Sequence, residues 1–147
     1  MNRIFFSSLP KNMGKVVRTL VTKTKSPVIV TQKAWDRMSS IIKSQDSFCF
    51  HLDIKSGGCS GFSYDMKLLN FTKYCDMTER YKINHLIEEG EARLFIEPTA
   101  EMYLIGTTID FESEDFEKGR FESKFTFTPD KDFATSCGCG VSFNPKI

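Results

Sequence analysis

The chain has 147 residues, a length that fits one domain. Hydrophobic residues make up 40% and charged residues 27%, with a net charge of only +1. This excludes wholesale disorder and gives no global case for nucleic-acid binding. No run of about 18 apolar residues occurs, so no helix of this chain is expected to insert stably in a membrane. The five Cys are odd in number and sparse. That argues against a secreted disulfide scaffold and for a thiol or metal role in a reducing compartment.

Charge is unevenly placed along the chain. Residues 1–35 hold seven Lys or Arg and no Asp or Glu, whereas residues 36–147 hold thirteen Lys or Arg and nineteen Asp or Glu. Met13, Val16, Val17, Leu20 and Val21 recur at helical spacing, with Lys11, Lys15 and Arg18 facing the other way. A basic amphipathic stretch without acids is the pattern of an organelle import sequence, drawn to anionic membrane surfaces and to the potential across them. Residues 1–27 are therefore read as a targeting segment and 28–147 as the domain. The expected location is the mitochondrial matrix or a mitochondrion-derived organelle. The competing reading is a basic tail or surface helix of a cytosolic protein.

Thr31 is the expected N-cap of a helix over about Gln32–Lys43, with Trp35, Met38, Ile41 and Ile42 on its apolar side. The period then changes to two. Phe48, Phe50, Leu52 and Ile54 alternate with Cys49, His51 and Asp53, which predicts a half-buried strand. Phe62, Tyr64, Met66 and Leu68 predict a second strand after a Gly-rich break. Residues 70–82 are polar with no clear period and read as a loop or insertion. Ala92, Leu94 and Ile96 give another strand, Pro98 opens a short helix, and Gly106 ends it. Ile109 and Phe111, then Phe121, Phe125 and Phe127, give two more. About six short strands with one early and one late helix define a mainly β domain with flanking helices.

The chemistry concentrates in three cysteines. Cys59 lies in Gly57-Gly58-Cys59-Ser60-Gly61, and Cys137 and Cys139 lie in Ser136-Cys137-Gly138-Cys139-Gly140. Glycine beside a thiolate ligand permits a tight turn and close approach of the backbone to a metal or to cluster sulfur. Thiolates are soft ligands that select iron–sulfur clusters, Zn or Cu(I) over hard cations. Three thiolates without a neighbouring His make an incomplete tetrahedral set, which a second subunit or a borrowed thiol would complete. Cys-x-Cys alone is also compatible with a structural Zn knuckle or a redox pair. A stable iron- or zinc-binding protein and a thiol redox protein therefore stand as alternatives to a cluster carrier.

The GGCSGF at 57–62 and the CGCGVSF at 137–143 resemble the A-type iron–sulfur carrier proteins of the HesB/IscA-like family. Leu104-Ile105-Gly106 followed by Ile109-Asp110-Phe111, and the stretch from Phe121 to Phe127, are similar to the family as well. The resemblance covers about 28–147. One departure is Thr128-Pro129-Asp130-Lys131-Asp132, which stands where the family often has an Asn-Pro-Asn-like turn. The resemblance implies a small HesB-like β-sandwich domain with a flexible Cys-containing C-terminal tail. It implies that Cys59, Cys137 and Cys139 bind iron or a [2Fe–2S] or [4Fe–4S] cluster at an interface between this chain and itself or a related chain. It also implies a non-enzymatic role: receiving clusters from a donor and handing them to recipient apo-proteins, especially in [4Fe–4S] maturation.

The other reactive residues carry plainer readings. Cys49, within a strand, is expected to be a small buried hydrophobe. Cys75 is expected to be an exposed thiol. His51 and His85 have no partner spacing and are read as surface or hydrogen-bonded residues. Asp110, Glu112, Glu114, Asp115 and Glu117 form an acidic run, read as a solvated turn able to attract a basic partner or loose iron. No nucleophile–base pair and no phosphate-cradling Gly loop with Lys is present.

Overall fold

The computed structural model describes residues 26–56, 61–82, 86–136 and 142–146. In chain order these form β1 (Ile29–Val30), α1 (Gln32–Ser44), β2 (Cys49–Ser56), β3 (Phe62–Leu69), α2 (Phe71–Tyr81), β4 (Leu86–Glu89) and β5 (Ala92–Ile96). There follow α3 (Glu101–Leu104), β6 (Thr108–Glu112), β7 (Lys124–Thr128), β8 (Ala134–Ser136) and β9 (Ser142–Pro145).

Thr31 caps α1 as its sequence predicts: its hydroxyl accepts from the Ala34 amide at 3.3 Å. The same hydroxyl donates to Asp110 at 2.5 Å. That bond, with the Phe111 amide, holds the Asp110 carboxyl below its ordinary pKa and ties the start of α1 to β6. Trp35, Met38 and Ile42 recur on one face of α1 and are buried.

Two sheets enclose the main core. One is six-stranded, in the order β4-β5-β2-β3-β9-β8, and the other three-stranded, β1-β6-β7. Phe50, Leu52, Tyr64, Leu94, Ile96 and Phe143 on the larger sheet join the apolar face of α1 and Ile109 of β6 in one cluster. Each such side chain contributes about 1.5–3 kcal/mol by leaving water. Aromatic contacts bridge the sheets. Phe50 meets Phe125 at 5.8 Å, and Tyr64 stacks on Phe127 at 4.6 Å.

Residues 70–82 are not a loop. Asn70 accepts from the Lys73 amide at 2.9 Å and caps α2. Phe71, Tyr74 and Cys75 then fall on one helical face, at i, i+3 and i+4. That face covers the far side of the large sheet, where Cys49, Leu69, Leu86 and Phe95 form a second cluster with Tyr74. The stripe is too narrow to read as a period against so many polar neighbours, and its meaning depends on a sheet face elsewhere in the chain.

This second cluster also changes β2. Cys49, Phe50, His51 and Leu52 are all buried, so the first half of the strand is covered on both faces rather than one. Other differences are smaller. Pro98–Ala100 form a turn that precedes α3 rather than its first turn, while Gly106 follows the helix at φ +77°. A Cβ at Gly106 would stand 2.7 Å from that of Asp130. Phe121 lies outside β7 and is exposed. The Thr128–Asp132 stretch makes a sound turn without the Asn-Pro-Asn residues. The Asp130 carboxylate accepts from the Asp132 amide at 2.9 Å, and its carbonyl accepts from the Phe133 and Ala134 amides.

Candidate metal centre

Cys59 stands in the connection 57–60 between β2 and β3, and Cys137 and Cys139 stand in the connection 137–141 between β8 and β9. The three cysteines lie outside the described residues, but the strands that hold both connections are described. Ser56 pairs with Phe62, Phe62 with Phe143, and Phe143 with Ser136. These four residues form one row across β2, β3, β9 and β8. With strands about 4.8 Å apart, Ser136 stands roughly 10 Å from Phe62. Segments far apart in sequence are thus anchored within two strand spacings of each other.

The strand directions add a second fact. β2 ends at Ser56 and β3 begins at Phe62, so β2 leaves the row on one side of it. β8 ends at Ser136 and β9 begins at Ser142, level with Ser63, so β8 leaves the row on the other side, opposite to β2. The row therefore brings together strand ends, of β2 and of β8, that point along the sheet in opposite senses.

Two side chains fix this junction. Phe143 is fully buried and stacks on Tyr64 at 4.6 Å, with Phe62 at 6.0 Å. Residues 142–145, beyond the last cysteine, are therefore built into the sheet. Gly61 has φ +89°, and a Cβ there would collide with the Asn144 side chain and meet the Phe143 carbonyl oxygen at 3.1 Å. Only glycine lets β3 begin this close to β9. A cleft of about 390 Å³ opens beside Ser136, with Lys131 and Lys146 on its walls. The Lys146 ammonium is engaged there, donating to the Lys131 carbonyl oxygen.

The remaining candidates sit elsewhere. Cys49 is fully buried, and burial pushes its thiol up to about 12, against a weaker lowering by Arg93. Cys75 is half-buried on α2 rather than freely exposed, and burial, Glu79 and Asp76 all raise its pKa. His51 is buried and hydrogen-bonded, its Nε2 standing 2.8 Å from Glu97 Oε2. The ring stacks on Phe95 at 5.5 Å. Glu97 is 46 residues away, so nothing local in the sequence pointed to it as the partner. His85 lies outside the described residues. No group of three or more His, Cys, Asp or Glu among the described residues is placed to hold a metal.

Fold and strand row define a small, mainly β scaffold that anchors two Gly-Cys segments at neighbouring strands of one sheet. Residues 27–141 match the family described as iron-sulphur cluster biosynthesis, and the chain belongs to that family. It is similar to the iron-sulfur cluster insertion protein ErpA of Ruthia magnifica, 31% identical over 122 residues, covering 82% of this chain and 92% of that protein. It is also similar to the mitochondrial iron-sulfur assembly protein IscA-like 3 of Arabidopsis thaliana, 29% identical over 119 residues, covering 81% and 95%. Among solved structures, Escherichia coli SufA, involved in biosynthesis of iron-sulfur clusters, matches with a TM-score of 0.61 and 26% identity, covering 82% of this chain and 95% of that one. The chain is an assembly protein of the IscA/ErpA type and not an enzyme.

Proposed function

We propose that Cys59, Cys137 and Cys139 ligate iron or an iron–sulfur cluster, and that the chain carries this cargo to apo-proteins, in particular those that need [4Fe–4S] clusters. The observation that supports the reading is the Ser56–Phe62–Phe143–Ser136 row, which brings together the strand ends that flank the two cysteine-bearing connections. A [2Fe–2S] or [4Fe–4S] cluster takes four protein thiolates. One chain offers three and two chains six, so the cargo lies between subunits, either two copies or this chain with a related one. The opposite senses of the β2 and β8 ends agree with ligands shared across an interface. In this reading the Cys137–Cys139 pair, flanked by Gly138 and Gly140, supplies the exchangeable ligands and Cys59 the retained one. Residues 1–27 target the chain to the mitochondrion or a derived organelle, in keeping with the mitochondrial plant relative, and residues 28–147 act there.

Anaerobic reconstitution with iron and sulfide, followed by visible and Mössbauer spectroscopy and by size measurement, tests this reading. The loaded protein is expected to be oligomeric. It should restore an apo [4Fe–4S] enzyme faster than free iron and sulfide, with a chelator present. Substituting Gly138→Val should slow transfer more than it lowers loading. A monomeric loaded protein, or transfer abolished by the chelator, favours a stable metal site. Reversible dithiol oxidation without a chromophore favours a redox protein. For location, a reporter fused to residues 1–35 should enter mitochondria, and a diffuse cytosolic signal refutes the targeting role.

A further inference from the structure

The connection between β6 and β7 is longer than a hairpin turn and is internally built. Asp115 and Arg120 exchange two backbone hydrogen bonds, Asp115 N to Arg120 O at 3.0 Å and Arg120 N to Asp115 O at 2.9 Å. Phe116–Lys118 form a 3-10 turn between them, closed by Gly119 at φ +71°. The Asp115 carboxylate accepts from the Lys118 amide and from the Arg120 guanidinium, each at 3.3 Å, and the Glu114 amide donates to Ser123 at 3.2 Å. An ordered tip of this kind spends conformational freedom to hold its side chains in place.

What it holds outward is apolar. Phe116 is 70% exposed and Phe121 72% exposed, although the two rings pack edge to face at 6.1 Å. Together they present roughly 300 Å² of aromatic surface, the scale at which an exposed patch on a monomer is commonly functional. Around the rings, Asp115 pairs with Arg120 and Lys118, and Glu112 with Arg120. Glu114, Glu117 and Glu122 have no cation within ion-pair distance among the described residues. Residues 112–124 hold five acids and three bases, a net charge of −2.

We propose that this tip is a docking knob for a partner protein whose surface offers an apolar pocket rimmed by Lys and Arg. Phe116 and Phe121 are the anchor, and Glu114, Glu117 and Glu122 set the partner's charge. Charge also decides against a second copy of this chain. Residues 28–147 carry fourteen basic and nineteen acidic side chains, so a second domain meets the tip with like charge. Only the partner's role as donor or recipient rests on the carrier reading. The docking itself does not, and its test needs no cluster.

The probes are a short amphipathic helical peptide of Leu, Trp and Lys, and its counterpart with Glu for Lys, each titrated into the isotopically labelled full-length chain. The Lys peptide should shift amide signals of 113–123, with an affinity that falls as salt rises. Phe116→Ser with Phe121→Ser should weaken it at least about tenfold. Glu117→Lys with Glu122→Lys should weaken it as well, in a protein whose two Phe are intact. The Glu peptide should leave the tip signals unmoved. Shifts confined to another surface, or affinity unchanged in both double variants, overturn the proposal. A soluble paramagnetic agent supplies the last arm. Tip amides shielded from it without peptide, in a concentration-dependent way, mean a second copy as occupant. Shielding independent of concentration means the chain's own basic segment. Either result overturns the proposal.

Discussion

Replacing any one of Cys59, Cys137 and Cys139 by Ser is expected to remove most of the chromophore that the chain acquires on anaerobic reconstitution with iron and sulfide. A serine hydroxyl is a hard, weakly acidic donor, whereas iron in a sulfide cluster needs a soft thiolate. With three thiolates per chain, losing one leaves two chains with four, enough in number but not arranged as the native set. Residual loading should therefore be partial and unstable to chelator rather than absent. Cys49→Ala and Cys75→Ala are the controls. With its thiol pushed up to about 12 by burial, Cys49 stays protonated at pH 8. It should neither ligate nor react with alkylating agents until the protein unfolds. The sign of its linkage follows. The folded pKa lies above the ordinary value of 9.0, so this burial favours the fold below about pH 9, and its contribution is lost as pH rises toward 12. A loss of chromophore at Cys75 as large as at Cys59 refutes the ligand assignment.

The second large effect is expected at Phe143→Ala. This side chain is fully buried against Tyr64 and Phe62, and its strand pairs with β3 at only two positions. Truncating a buried Phe costs about 3–5 kcal/mol, a large part of the 5–15 kcal/mol that typically stabilises a domain. Much of the loss should fall locally, because β9 has few other attachments. Hydrogen exchange at 142–145 should accelerate more than exchange in β2 and β5. If the proposed ligands are right, the loaded variant should also surrender iron to a chelator much faster than wild type, since β9 joins the strand ends that flank the two cysteine-bearing connections. Phe143→Leu should recover most of both properties. Unchanged retention of cargo in a Phe143→Ala protein with accelerated exchange at β9 separates the strand from the site and removes the row from the functional argument.

The sequence by itself determined a good deal. Local signals sufficed wherever the physics is local. The Thr31 cap and its apolar face marked α1, alternation marked β2, β3 and β5, and Gly106 marked the end of the short helix. The glycine-flanked cysteines stand out in the sequence as candidate ligands because soft-metal chemistry calls for both the thiolate and freedom in the backbone beside it. Only the tertiary structure decided what those elements face. The Phe71, Tyr74 and Cys75 stripe of α2 has meaning only against Cys49, Leu69 and Phe95, which is why 70–82 reads as a polar insertion and β2 as half-exposed. The short β4 and β8 offer too few residues to establish a period. His51 and Glu97 are separate polar residues until parallel pairing of β2 with β5 sets them side by side. Above all, the nearness of the Cys59 and Cys137 anchors belongs to no local pattern. It follows from β9 choosing the edge of β3, a pairing held by one buried aromatic and one glycine between segments remote in the chain.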